Sequence, residues 1–205
     1  MATLTTEVDA VNTILQVSGE SQVASDTNLA SASLPYEVKA AHGILTETTR
    51  EICLSSYVFN TEEDIVLSPN GDSKIDVDNG ANPYVQVRNQ STGEEYVTRN
   101  GFLYSMKDKT STFTSTVEVT IVYLLNFLDM PEAAKRYCIV RAARVFADRL
   151  VGSKDIRSFT ERDEFEARAI LADYQYGVDS INMLTDNPDT YSIIDRRSGG
   201  GPSWL

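Results

Sequence analysis

Thr112-Phe113-Thr114-Ser115-Thr116-Val117-Glu118-Val119-Thr120-Ile121, followed at 129 by Asp129-Met130-Pro131, is where this chain changes period. Through Ile121 apolar and polar residues alternate, the signature of a strand with one buried face. Behind Asp129, Pro131 opens a helix and Gly152 closes it. Ala133, Tyr137, Val140, Ala143 (or Arg144), Ala147 and Val151 then recur at helical spacing. A strand zone therefore hands over to a helical one. The rest of the chain extends both.

Upstream, residues 57–126 read as strands. Tyr57-Val58-Phe59, Ile65-Val66-Leu67, Tyr84-Val85-Gln86-Val87, Tyr96-Val97 and Phe102-Leu103-Tyr104 are short aromatic or β-branched runs. Asn70-Gly71, Asn79-Gly80 and Asn100-Gly101 supply hairpin-type turns, because Asn and Gly tolerate positive φ; Gly93 turns another. Before this zone the period is helical again. Thr6 followed by Asp9 caps a first helix carrying Val8, Val11, Ile14 and Leu15, which ends at Gly19. A longer helix runs from near Leu34 to Ile52, with Pro35 in its first turn and Leu34, Val38, Ala41, Leu45, Thr48 and Ile52 on one stripe.

Downstream, Thr160 with Asp163 starts a last helix faced by Ala167, Ile170, Leu171, Tyr174, Val178 and Ile181. Acidic residues load its first turns, which suits the positive end of the helix dipole. These patterns predict an α+β chain. Residues 1–56 and 127–184 form an antiparallel helical bundle, 57–126 a β-rich insert with an antiparallel sheet, and 185–205 an extended tail containing Gly199-Gly200-Gly201.

Composition narrows the function classes. The 205 residues carry 18 Lys+Arg against 30 Asp+Glu, a net charge of −12, which disfavours a protein that grips phosphates. No apolar run approaches a membrane span, and the charged residues Glu7, Asp9 and Glu20 leave no signal peptide visible. Cys53 and Cys138 lack metal or redox spacing and read as buried free thiols, with one disulfide between them as the alternative.

Catalytic chemistry has little to work with. His42, the one histidine, lies three helical turns from Cys53 and reads as a structural or interface residue. The acidic loop Asp72 to Gly80 fails the calcium-loop template, since Gly80 sits fifth and Val87 twelfth counting from Asp76. No catalytic, metal or cofactor residue is assigned. Arg141 and Arg144 face one way on their helix and suit ion pairs with the acidic helix 161–176 of the same or a neighbouring chain. Trp204-Leu205, holding the only Trp, is expected to anchor the tail on a neighbouring copy or on a partner protein.

Several segments, in order, resemble one family. They are Ala10-Val11-Asn12-Thr13-Ile14-Leu15 with Ser18-Gly19-Glu20, and Arg50-Glu51-Ile52 with Tyr57-Val58-Phe59-Asn60-Thr61-Glu62-Glu63 and Leu67-Ser68-Pro69. Met130-Pro131-Glu132 with Arg136-Tyr137-Cys138-Ile139-Val140, and Asp163-Glu164 with Asn182-Met183-Leu184, complete the set. Together they resemble tail tubular protein A, the adaptor ring of short-tailed bacteriophages. The resemblance implies a structural virion protein without an active site, usually a ring of twelve copies. The ring sits between the portal protein and the nozzle (tail tubular protein B), beside the tail fibre protein, and double-stranded DNA passes through it. Its place would be the virion tail, assembled in the host bacterial cytoplasm. The alternative is a tail-borne glycan hydrolase using Glu62, Glu63 or Glu94, because some relatives have been proposed to degrade surface polysaccharide.

Overall fold

Among the described residues, two α-helices, five strands and two further α-helices follow one another along the chain. A computed structural model describes residues 4–77, 84–89, 95–150, 152 and 154–178. The helices are α1 (Glu7–Val17), α2 (Tyr36–Cys53), α3 (Glu132–Leu150) and α4 (Lys154–Val178). The strands are β1 (Thr61–Leu67), β2 (Tyr84–Asn89), β3 (Glu95–Arg99), β4 (Phe102–Ser105) and β5 (Val117–Tyr123). All pair antiparallel in one sheet of order β1-β5-β2-β3-β4, so the chain is mixed α+β.

The caps of α1 and the end of α3 are those the sequence announces, whereas Pro35 stands as the N-cap of α2 with ψ 153°, just ahead of the first turn in which it was expected. Thr6 Oγ1 accepts the Asp9 N–H at 3.1 Å while Asp9 accepts the Thr6 N–H at 3.2 Å, a reciprocal capping box on α1. Beyond α1, Gly19 takes φ +76° and the Glu20 N–H returns to the Leu15 carbonyl at 3.0 Å. Gly152 closes α3 in the same manner, with φ +62° and its N–H on the Ala147 carbonyl at 3.1 Å. Asn100 and Gly101, both at positive φ, turn β3 into β4. At Asn70-Gly71 the positive φ falls instead on Ser73, because the Asn70 side chain accepts the N–H groups of Asp72 and Lys74 and widens the turn. Asn79-Gly80 and Gly93 lie outside the described residues.

Two hydrophobic clusters result. One gathers Ile75, Val77, Val87, Tyr96, Leu103, Val119 and Ile121 on one face of the sheet. The other joins α1 (Val11, Ile14), α2 (Val38, Leu45, Ile52), α3 (Cys138, Phe146) and α4 (Ala167, Leu171). In α2 the expected stripe is buried from Val38 to Ile52, while Leu34 lies ahead of the helix and is half-buried; Thr48 joins the stripe by donating its hydroxyl to the Ile44 carbonyl at 2.8 Å. In α3 the buried face is wider than one stripe and centres on Ala134, Cys138, Ala142 and Phe146, whereas Ala133 and Val140 are only half-buried. The reason is that α3 packs against α1, α2 and α4 together. Helix α4 begins at Lys154 rather than Thr160, since extending an existing helix is easier than nucleating one.

Candidate functional site

The described polar chemistry gathers on α3. Arg141 reaches both neighbouring helices. Its Nη2 and Nε bind the Glu51 carboxylate of α2 at 2.6 and 3.2 Å, and its Nη1 binds Glu164 of α4 at 2.9 Å. The bidentate geometry toward Glu51, then Glu164, raises the already high guanidinium pKa further. Arg144 Nε stands 2.8 Å from the other Glu164 oxygen, an ion contact not aligned as a hydrogen bond. Glu164 is only 9% exposed and is held between two arginines one turn apart. So Arg141 and Arg144 do face one way, and they pair with α4 of their own chain. The clasp ties α2, α3 and α4 and offers no open position for a substrate.

A second polar cluster starts α3. Glu132 accepts the Thr5 N–H at 3.2 Å and the Thr5 hydroxyl at 2.7 Å. The hydroxyl, chiefly, holds the carboxyl below its usual value. Lys135, 2% exposed, extends its Nζ to within 3.3 Å of Glu132 and lies 5.9 Å from the Phe127 ring centroid. Periodicity missed this lysine, and it also missed Asn60. Asn60, 1% exposed, donates to the Cys53 carbonyl at 2.8 Å and the Tyr123 carbonyl at 3.1 Å, and accepts the Tyr57 N–H at 2.9 Å. It thereby pins the end of α2 to the entry of β1 and the exit of β5. Its place after an aromatic run and before a strand was the only signal.

The remaining candidates are scattered. His42 Nε2 lies 3.8 Å from Glu7 in a cleft of about 200 Å³ also lined by Thr46, Arg50 and Asn126. Cys53 and Cys138 are buried and unbonded to each other. Burial raises both thiols, Cys138 to about 12, so neither forms a ready nucleophile. Glu62 and Glu63 are exposed on β1, and Glu62 accepts the Tyr123 hydroxyl at 3.0 Å. The pairing of β1 with β5 shifts register between Glu62 and Ile65, where Asp64 takes φ +58°. Asp76 accepts from the Asn70 amide at 3.2 Å, and among the described residues no group of His, Cys, Asp or Glu is placed to hold a metal. Glu94, Trp204 and Leu205 lie outside the described residues.

The chain is 28% identical over 171 residues to the tail tubular protein A of Klebsiella phage KP34, covering 82% of this chain and 86% of that relative. Residues 8–180 match the family model for tail tubular proteins, from the start of α1 to the end of α4. The chain therefore belongs to the tail tubular protein family, a family of phage tail proteins.

Proposed function

We propose that this chain is a non-enzymatic structural brick of a short phage tail: one subunit of a closed adaptor ring, of twelve copies, between the portal and the nozzle. The family match over residues 8–180 carries the reading. In this reading residues 1–56 and 127–184 are the antiparallel helical bundle that builds the ring wall. Residues 57–126 face the nozzle and tail fibre, and 185–205 extend to a neighbour or the portal, with Trp204 and Leu205 as anchor. The polar clusters support it. Arg141, Arg144 and Glu164 hold helices together instead of presenting a reactive group.

The charge fits a conduit for double-stranded DNA. Twelve copies at −12 each bring about −144, a field that keeps phosphates from sticking where acids face the lumen. Only acids within about 8 Å of the duplex act on it at physiological salt. Cryo-electron microscopy of purified virions tests the reading. A ring of this gene product at the capsid–tail joint is expected, and its absence there refutes it. Deleting 199–205 should lower incorporation into portal-bearing heads; unchanged incorporation removes the role of the tail.

A further inference from the structure

The sheet has two outer strands, and the chain treats them differently. At one end β4 is covered. The Leu103 N–H reaches the Ile75 carbonyl at 2.8 Å, the Val77 N–H the Gly101 carbonyl at 3.1 Å, and the Ser105 N–H the Thr110 carbonyl at 2.9 Å. At the other end β1 pairs, among the described residues, with β5 alone. A strand edge of unpaired N–H and C=O groups is a template for another strand.

The residues of β1 make that template a sticky one and then flank it with obstacles. Ile65-Val66-Leu67 is an apolar run of good strand formers, and Val66 is 60% exposed. In front of it stand Glu62, Glu63 and Asp64; behind it Pro69 has no N–H to give a ladder. With Glu118, strands β1 and β5 carry four acids and neither Lys nor Arg. The register slip between Glu62 and Ile65, with Asp64 at positive φ, also bends the edge out of line. Asp tolerates that backbone region, whereas a β-branched residue there is an outlier.

We infer that the acidic bulge of β1 is a guard: it stops the open edge from adding a strand of a second copy, and so keeps free chains from joining sheet to sheet. The pairing registers show how. A parallel pair in register sets Glu62, Glu63 and Asp64 against the same three acids. An antiparallel pair centred on Asp64 sets Asp64 on Asp64, with Glu62 and Glu63 on Val66 and Ile65. One centred on Val66 leaves only Ile65 to Leu67 between the bulge and Pro69. Like charges across a pair destabilise it, and a ladder that short is weak. The guard does not depend on the ring reading. It names a surface that copies do not share, and leaves any joint between them to other faces.

Analytical ultracentrifugation of the full chain tests this. Glu63→Thr with Asp64→Thr removes two charges and puts a β-branched residue where φ is positive, which favours a straight edge. Glu62 is kept because it accepts the Tyr123 hydroxyl. The double variant should show about tenfold more material heavier than the wild-type species. Adding Val66→Lys should return the wild-type profile, since an edge Lys blocks strand addition but does not repair a misfolded chain. Glu20→Thr with Asp26→Thr makes the same charge change at exposed residues outside the sheet and should leave the profile unaltered. In the wild type, alternate β1 amides should exchange as fast as unpaired ones, while those of β5, paired on both sides, are protected. The guard is refuted by a double variant that sediments as wild type, or by heavier species that Val66→Lys fails to dissolve. It is equally refuted if the Glu20 and Asp26 control associates as strongly, or if every wild-type β1 amide is protected, the edge then being already covered.

Discussion

Replacing Glu164 by Gln isolates what the α3–α4 clasp contributes, because the amide keeps the size and removes the charge. The perturbed carboxylate lies 2.9 Å from Arg141 and 2.8 Å from Arg144. Breaking a fully buried ion pair costs about 3–5 kcal/mol, since the partner stays desolvated and unmatched. Here each arginine is 26% exposed, and Arg141 keeps its bidentate bond to Glu51. Both facts reduce the loss, to about 2 kcal/mol. For a chain of this size that lowers the Tm by roughly 6 °C. The control is Glu47→Gln, which removes the pair with Arg149 at 3.2 Å, where the side chains are 55% and 64% exposed. That pair is solvated on both sides and should be worth under about 0.5 kcal/mol. Urea unfolding of both variants at pH 7 gives the comparison. Equal losses, or a larger loss at Glu47, would refute the claim that burial makes the Glu164 clasp the stronger one.

Thr6→Ala removes half of the capping box and should cost about 1 kcal/mol, read from the same urea curves. Asn60→Ala leaves the Cys53 and Tyr123 carbonyls and the Tyr57 N–H without their partner; a loss of about 2–3 kcal/mol is expected, and under 0.5 would contradict the pinning role. Glu132 titrates below its usual 4.5, so the stability it adds is present above that pH and fades as pH falls through the lowered value. Glu132→Gln should therefore trail the wild type at pH 7 by about 0.5 kcal/mol and converge with it in acid. Neither thiol should react with a disulfide reagent at pH 8 until the chain unfolds, when both do.

Local and periodic features were legible in the chain alone. Caps, the Asn100-Gly101 turn and the alternation in β5 are decided by side chains within a few residues, so Thr6, Asp9, Gly19 and Gly152 announce their helix ends. The same holds for the apolar stripe of α2. What the fold decided is how many sides of each element are covered. α3 touches three helices, which buries Cys138, Ala142, Phe146 and even Lys135, residues that no single stripe marks. Asn60 works only because α2 and β5, far apart in sequence, end at the same place. Arg141 and Arg144 were visible as a pair on one face, yet their partner Glu164 follows from how α4 lies on α3. Periodicity reports one face at a time; long-range packing sets which faces meet, and hence which surfaces remain for a neighbour.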